Sequence, residues 1–201
     1  VGRALRDVRD QVVIATKFGV RHLGDQLITD SSPETIRKSV NGSLKRLGVE
    51  SIDLYYQHRI DPKMEPEEVA GVMAELIKAG KIRHWGISEA NEDYLRRAHA
   101  ICPVTAIENR YSMLARWHES LFPVCEELGV GFVAFSPMGN GFLSGKYQSG
   151  DTFTKGDFRN TMPQYMPEGF KAAQALLDKV SGMAKIHEAT MAQISLSWML
   201  G

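Results

Sequence analysis

The sequence lacks the features of a protein that binds nucleic acid or an acidic membrane surface. Its 24 basic and 24 acidic side chains leave 201 residues without net charge, and no run of like charges suggests an interaction tail. No apolar run is long enough to span a membrane. We therefore predict a small-molecule partner, with no nucleic acid and no membrane involved.

Cysteine is also scarce. Only Cys102 and Cys125 are present, and they lie far apart in neither metal-ligand nor redox spacing. This predicts structural thiols, a reducing compartment and no metal site. The first ten residues, "VGRALRDVRD", lack the features of a signal peptide. These observations favour a cytoplasmic protein.

Short apolar runs alternate with segments of helical period, at a length and hydrophobic content that suit one globular domain or part of one. Continuously apolar runs, typical of strands buried on both faces, predict strands at Val12 to Thr16, Ile52 to Gln57, His84 to Ile87, Thr105 to Asn109 and Gly131 to Phe135. Helical period predicts helices at Ser32 to Leu47, Glu67 to Ala79, Asp93 to Ile101, Glu119 to Leu128, Glu168 to His187 and Thr190 to Leu200. Strands joined by helices predict a parallel sheet, either open or closed as a (β/α)8 barrel. Because a barrel needs about 250 residues, a barrel with five strands is incomplete.

Both architectures place ligands at the carboxyl ends of the strands. The polar residues at these ends are Lys17, Gln57, His58, Arg59, Ser88, Glu89, Glu108, Asn109 and Ser136. Lys17 could be solvated, paired with a carboxylate, a Schiff-base nucleophile or a partner in proton transfer. Since burying an unpaired ammonium is costly, we expect a carboxylate nearby. His58 stands where a ligand would bind, whereas Tyr55 and Tyr56 are predicted to be core residues.

A glycine-rich segment, "FSPMGNGFLSG", follows the last predicted strand. Gly139, Gly141 and Gly145 allow backbone amides to approach a phosphate closely. Their spacing is not the dinucleotide fingerprint, so a flexible turn remains the alternative. The next segment, Lys146 to Pro167, is polar, has little period and is long for a loop. We expect it to be either disordered or a lid.

The sequence resembles the aldo-keto reductases from end to end. The matching stretches, in the family's order, are "VVIATKFG", "SLKRLGVESIDLYYQHRIDP", "LIKAGKIRHWGISEA" and "GVGFVAFSPMGNGFLSGKY". "YYQHRIDP" with "GISEA" is similar to the bacterial and plant branch of pyridoxal reductase-like and auxin-induced-protein-like members. The resemblance implies a (β/α)8 TIM barrel in which residues 1–201 form a single domain lacking its N-terminal and C-terminal parts, with about five of eight strands.

The resemblance also implies an NADPH-dependent reductase of aldehydes or ketones. The family uses an aspartate, a tyrosine, a lysine and a histidine, of which Lys17 and His58 match the last two. The aspartate and tyrosine are expected upstream of Val1. By this resemblance the lysine lowers the pKa of the tyrosine that donates the proton, and the aspartate keeps the lysine charged and oriented. The histidine holds the carbonyl oxygen or helps to relay its proton.

Further matches concern the cofactor. Ser88 corresponds to a serine that holds the nicotinamide carboxamide, and Phe135 to an aromatic residue that stacks on the nicotinamide ring. The loop along the ribose and pyrophosphate is matched by Ser136, Pro137, Met138, Gly139, Asn140, Gly141 and Leu143. Glu108 replaces the usual glutamine at the carboxamide, and Glu89 a common asparagine. A carboxylate cannot donate to the carboxamide oxygen, so we expect weaker positioning of the nicotinamide.

Three functions follow as hypotheses. The first is NADPH-dependent carbonyl reduction by the parent protein, with the 201-residue chain alone inactive and poorly soluble. The second is a non-catalytic nucleotide-binding sensor or regulatory subunit, similar to the potassium-channel β subunits. The third is a lyase or aldolase with a Schiff base on Lys17. Trp85, Trp117 and Met162 are candidate pocket residues, with core or surface roles as alternatives, and the sequence specifies neither the substrate nor the oligomeric state.

Overall fold

The computed structural model describes residues 1–24 and 26–201, in which strands alternate with helices. The strands are β1 (Ala15–Phe18), β2 (Val20–Leu23), β3 (Gln26–Thr29), β4 (Ile52–Gln57), β5 (Ile82–Ser88), β6 (Ala106–Arg110) and β7 (Gly131–Phe135). The α-helices are α1 (Gly2–Leu5), α2 (Pro33–Leu47), α3 (Pro66–Lys78), α4 (Glu92–Ile101), α5 (Phe122–Leu128), α6 (Pro167–Ile186) and α7 (Met191–Trp198). Short 3₁₀ helices lie at Arg6–Gln11, Glu119–Leu121, Gly139–Ser144, Phe158–Thr161 and Pro163–Tyr165.

Five strands form one sheet in the order β1-β4-β5-β6-β7, and β2 pairs with β3 separately. The pairs β1 with β4, β4 with β5, and β5 with β6 are parallel. The amide of Gly131 in β7 donates to the carbonyl of Thr105, just before β6, at 2.9 Å. The five predicted strands and the α/β class are therefore confirmed. The carboxyl ends of the parallel strands meet at one edge of the sheet, where the candidate site lies.

The first strand begins at Ala15, three residues after the predicted Val12. The amide of Ile14 donates to the side-chain carboxylate of Asp53 (2.8 Å) and not to a backbone carbonyl of the neighbouring strand β4, and the Val13 side chain is 77% exposed. β1 lies at the edge of the sheet. The prediction that every strand is buried on both faces is therefore wrong for β1. It is also wrong for β7, the other edge strand, where Val133 is 43% exposed.

Helix α2 begins and ends where its sequence signals predict. The hydroxyl of Ser32 accepts a hydrogen bond from the amide of Thr35 at 3.4 Å, and Pro33 occupies the first helical position. Gly48 ends the helix in the left-handed conformation, at φ 69°. The buried face of α2 includes Ile36 and Val40, neither of which is exposed. These residues therefore pack α2 against the hydrophobic core.

The chain divides into two compact units, residues 1–109 with 120–133 and residues 110–119 with 134–201. The core of the first unit contains residues of the strands β4, β5 and β6 and of the helices α2, α3 and α4. Tyr55 pairs in register with Trp85 on β5, and Tyr55 and Tyr56 are 0% and 2% exposed, so both are core residues as predicted. Trp85 donates from Nε1 to the carbonyl of Cys102 (3.2 Å). This tryptophan is therefore a core residue and not a pocket residue.

Both cysteines lie in the first unit as free, buried thiols. Burial raises the pKa of the Cys102 and Cys125 thiols, which suppresses the reactive thiolate. The structural role predicted for them is confirmed.

The core of the second unit is aromatic. The ring of Phe142 lies 5.4 Å from that of Tyr165 and 4.7 Å from that of Phe170, centroid to centroid. Tyr147 and Phe153, both from the long polar segment, pack against Tyr165 at 5.6 and 5.0 Å. The segment from 146 to 167 is thus anchored by aromatic contacts and two 3₁₀ helices. Of the two alternatives, disorder is therefore wrong, and the lid stays a prediction. Its irregularly spaced aromatic residues gave no periodic signal in the sequence.

The β2–β3 hairpin was missed by sequence reasoning. The hairpin of β2 and β3 follows β1 directly, with Val20 opposite Thr29 in antiparallel register. Gly19, at φ 85°, and the hydrogen bond from the amide of Asp30 to its carbonyl (3.0 Å) close the base of the hairpin. Among the described residues, no helix is both long and apolar enough to cross a membrane.

Candidate functional site

Lys17, near the carboxyl end of β1, forms an ion pair with Glu108 of β6. Nζ donates to Oε1, and the two side chains are 30% and 17% exposed. The strands β4 and β5 lie between β1 and β6 in the sheet order, so the pair bridges strands that are not neighbours. The expectation of a carboxylate beside Lys17 is confirmed, and the carboxylate is one that had been predicted to hold the cofactor.

Tyr56 lies next to this ion pair. Its backbone is opposite Lys17 in the β1–β4 register, and Nζ of Lys17 is 5.7 Å from the ring centroid. Burial, reinforced by the negative charge of Glu108, raises the pKa of the Tyr56 phenol to about 12. Tyr56 therefore stays neutral at ordinary pH and is a poor proton donor.

His58 follows β4 and is fixed by its backbone, whose amide donates to the carbonyl of Phe18 at 2.9 Å. Burial lowers the pKa of its imidazole from 6.5, and the positive charges of Lys17 and Arg59 lower it further, against an opposing effect of Glu108. The imidazole is thus neutral at pH 7, with one ring N–H available to donate to an oxygen. Lys17, His58 and Glu108 form one electrostatic cluster.

Ser88, at the end of β5, is held by a residue whose role the sequence did not indicate. Nη1 of Arg59 donates to Oγ of Ser88 at 3.0 Å and to the carbonyl of His58 at 2.7 Å. Ser88 is 1% exposed, and its hydroxyl keeps a hydrogen to donate. The only sequence signal for this role was the position of Arg59 directly after His58.

Two other polar residues at the strand ends are structural. Gln57, which is fully buried, donates to Oγ of Ser31 (3.0 Å) and accepts from the hydroxyl of Tyr94 (2.9 Å). The side-chain amide of Asn109 pairs with the backbone of Ala90 in both directions, at 2.8 and 3.0 Å. These side chains secure the loops that follow the strands.

The predicted cofactor loop lies in the second unit. Ser136 and Asn140 adopt positive φ, 55° and 60°, and the amides of Gly139 and Leu143 are bonded to the carbonyls of Ser136 and Met138. The Leu143 side chain is fully buried, so it holds the loop in place. Oδ1 of Asn140 is buried and accepts no hydrogen bond within the described part of the chain.

The glycines of this loop are explained by packing. A Cβ on Gly141 (φ 97°) would lie 3.3 Å from the Tyr147 ring, and one on Gly145 (φ 71°) would lie 2.3 Å from Sδ of Met191. Left-handed conformation and close contacts require glycine at both positions. These glycines alone are therefore no evidence for a phosphate.

A cavity of about 320 Å³ opens beside the loop, within the second unit. Its lining includes Arg110, Trp117, Ser136, Asn140 and Gln164. Trp117 is 60% exposed, as a pocket residue would be, whereas Met162 packs against the aromatic core of this unit. The guanidinium of Arg110 lies 5.5 Å from the ring centroid of Phe135.

Residues 1–24 and 26–201 contain no group of three or more His, Cys, Asp or Glu side chains placed to hold a metal ion.

The whole chain, residues 1–201, matches the aldo/keto reductase family. A probable aldo-keto reductase from Glycine max is 40% identical over 203 residues, which cover 100% of this chain and 58% of that protein. An aldo-keto reductase from Strobilurus tenacellus is 41% identical over 199 residues, which cover 96% of this chain and 57% of that protein. The chain therefore spans somewhat more than half the length of these relatives.

Solved structures give the same result. A glycerol dehydrogenase from Gluconobacter oxydans superimposes with a TM-score of 0.91 at 30% identity, covering 100% of this chain and 63% of that one. An aldo-keto reductase from Bacillus halodurans superimposes with a TM-score of 0.69 at 31% identity. The match covers 77% of this chain and 53% of that one. The five-stranded parallel sheet is thus part of a (β/α)8 barrel, and the chain belongs to the aldo/keto reductase family.

Proposed function

We propose that this chain carries the lysine, the histidine and most of the cofactor-binding residues of an NADPH-dependent oxidoreductase that reduces aldehydes or ketones to alcohols. The observation that carries the proposal is the Lys17–Glu108 ion pair beside a neutral His58 at the carboxyl ends of the strands. Family membership supports the reaction class. We also propose that residues 1–201 belong to a single barrel domain.

The bound cofactor would supply a hydride to the carbonyl carbon, and negative charge would then develop on the carbonyl oxygen. His58, as a neutral imidazole, would donate a hydrogen bond to that oxygen. The ammonium of Lys17 would lower the pKa of the tyrosine that gives the proton. Burial raises the pKa of Tyr56 to about 12, which makes Tyr56 a poor proton donor. We propose that the proton comes from the tyrosine that the family resemblance places outside residues 1–201.

The residues proposed for the cofactor suit a nicotinamide dinucleotide. Oδ1 of Asn140, buried and without a donor, would accept from a ribose hydroxyl, and the Ser88 hydroxyl would donate to the carboxamide oxygen. Phe135 would stack on the nicotinamide ring through its aromatic face. Ser136 to Leu143 would hold the ribose and pyrophosphate by their fixed backbone.

The ion pair also bears on the Schiff-base hypothesis. A Schiff base requires a free amine that can attack a carbonyl carbon, whereas Nζ of Lys17 donates to Glu108. Carbonyl reduction uses the same lysine as a cation. The arrangement of Lys17 therefore favours the reductase.

Isotope transfer tests the proposed reaction. In the full-length protein, NADPH deuterated at C4 and 4-nitrobenzaldehyde are expected to give an alcohol with deuterium on its carbinol carbon, because the hydride moves directly. Mass spectrometry of the product measures this, with boiled protein as the control. A protein that binds NADPH without oxidising it would contradict the reductase and support the sensor hypothesis.

A further inference from the structure

Arg59 joins two residues of the proposed site through a single nitrogen. Nη1 donates to the carbonyl of His58 at 2.7 Å and to Oγ of Ser88 at 3.0 Å. His58 follows β4 and Ser88 ends β5, so the guanidinium spans the ends of two neighbouring strands. Hydrogen bonds from a charged donor are stronger than those between neutral groups. Arg59 therefore restrains the Ser88 side chain relative to the backbone of His58.

The turn that carries Arg59 is itself held at both ends. Before it, the amide of His58 donates to the carbonyl of Phe18 at 2.9 Å. After it, the carboxylate of Asp61, a residue only 3% exposed, accepts from the amide of Ser31 at 2.8 Å. The guanidinium thus starts from a backbone with little freedom to move.

The Ser88 hydroxyl has a donor on one side and an open position on the other. Ser88 is 1% exposed, its Oγ accepts from Arg59, and the described residues place no acceptor for the hydroxyl hydrogen. A hydroxyl has one hydrogen to donate and two acceptor positions. A cation that occupies one acceptor position repels the hydrogen, which must then point away from the guanidinium. Because a buried donor without an acceptor is costly, a ligand oxygen would be favoured there.

We propose that Arg59 is a positioning residue that makes the Ser88 hydroxyl a donor of fixed direction toward the carboxamide oxygen of the nicotinamide cofactor. This inference rests on the proposed reductase function, in which Ser88 holds the carboxamide. Arg59 acts through Ser88 and makes no contact of its own with the cofactor. Its bond to the His58 carbonyl ties the place of the nicotinamide to the strand end that carries the histidine.

Cofactor affinity tests the inference in the full-length protein without any turnover. By isothermal titration calorimetry, the Kd for NADPH is expected to be about tenfold higher in Arg59→Met than in the wild type, the scale of one hydrogen bond involving a charged group. For 2′-phospho-ADP-ribose, which has the same phosphates but no nicotinamide, the two proteins should have equal Kd values. Arg37→Met is the matched control, because Arg37 forms an exposed ion pair with Glu75 (2.6 Å) far from the proposed machinery in sequence, and it should bind both ligands as the wild type does.

A double-mutant cycle shows whether Arg59 acts through Ser88. Ser88→Ala alone should also weaken NADPH binding, and adding Arg59→Met to it should change the Kd by less than about twofold, because no hydroxyl remains to be directed. Arg59→Lys keeps the charge but not the planar donor group, so it should bind NADPH more weakly than the wild type. If Arg59→Met does not fold, as judged by circular dichroism, Arg59→Lys takes its place in the same cycle.

Two results would overturn the inference and leave the reductase intact. Independent, additive losses of NADPH affinity in Arg59→Met and Ser88→Ala would show that the arginine does not act through the serine. Equal losses of affinity for NADPH and for 2′-phospho-ADP-ribose would show a general electrostatic or structural effect of Arg59. A wild-type protein that binds neither ligand would instead overturn the proposed function, and this inference with it.

Discussion

Replacing Lys17 with methionine is expected to lower kcat for carbonyl reduction in the full-length protein by about 10²–10⁴-fold, the range typical of lost general acid–base assistance. Methionine has a similar length and no charge. Without the cation, the proton-donating tyrosine would keep its ordinary high pKa, and the Glu108 carboxylate would face the developing oxyanion unneutralised. Steady-state kinetics with 4-nitrobenzaldehyde and NADPH measure the effect.

Lys78→Met is the matched control for this substitution. Lys78 is exposed at the end of α3, so its variant should retain wild-type kcat. Lys17→Arg should recover only part of the activity, because a guanidinium keeps the charge but not the geometry. A Lys17→Met variant with more than about a tenth of wild-type kcat would contradict the assigned role, since general acid–base assistance contributes at least 10²-fold.

Replacing Gly86 with alanine is expected to destabilise the protein by about 1–3 kcal/mol, the usual cost of overpacking a core. Gly86 pairs with Tyr56 across β4 and β5, and the tyrosine ring lies over it. A Cβ at Gly86 would be 2.5 Å from Cε1 of Tyr56 and equally close to the carbonyl oxygen of Ala106. The backbone oxygen cannot withdraw without breaking the sheet, so the strain remains. Urea denaturation measures the change in the free energy of unfolding.

Gly71→Ala provides the contrasting case. Gly71 lies inside α3, and a Cβ there would meet no atom within 4 Å. Since glycine costs about 0.5–1 kcal/mol relative to alanine inside a helix, this variant should be slightly more stable than the wild type. Equal urea midpoints for Gly86→Ala and the wild type would show that the Tyr56 ring is not held as described. The Lys17 ammonium would then lack its contact with the Tyr56 ring.

Periodicity predicted the sheet because its central strands are buried. β4, a central strand, has the bounds that were predicted, and α2 carries its capping signals in the sequence itself. β7 also has its predicted bounds, although it lies at the edge of the sheet and is only partly buried. The predictions that failed concern β1 and the β2–β3 hairpin, whose residues are too exposed to leave a hydrophobic pattern in the sequence. β1 is an edge strand whose start depends on Asp53, 39 residues from the amide of Ile14 that it binds, and the β2–β3 hairpin has exposed leucines at positions 23 and 27.

The candidate site was predictable in its residues and not in its contacts. Lys17 and His58 stand at strand ends, a local feature that any parallel sheet exposes. The partner of Lys17 is 91 residues away in the sequence, and only the order and register of the strands bring Glu108 to it. The same holds for Arg59, which reaches Ser88 across 29 residues. Separations of this kind leave no mark in local sequence patterns.

The NMR titration of His58 in wild type and Lys17→Met tests most directly whether Lys17, Glu108 and His58 act as one cluster. The wild-type imidazole is expected to titrate below its ordinary value of 6.5, because burial and Lys17 both disfavour the imidazolium. In Lys17→Met the pKa should rise, since a positive charge is removed and Glu108 is left unpaired. A His58 that titrates at 6.5 or above in the wild type, or at the same pH in both proteins, would contradict the cluster on which the proposed function rests.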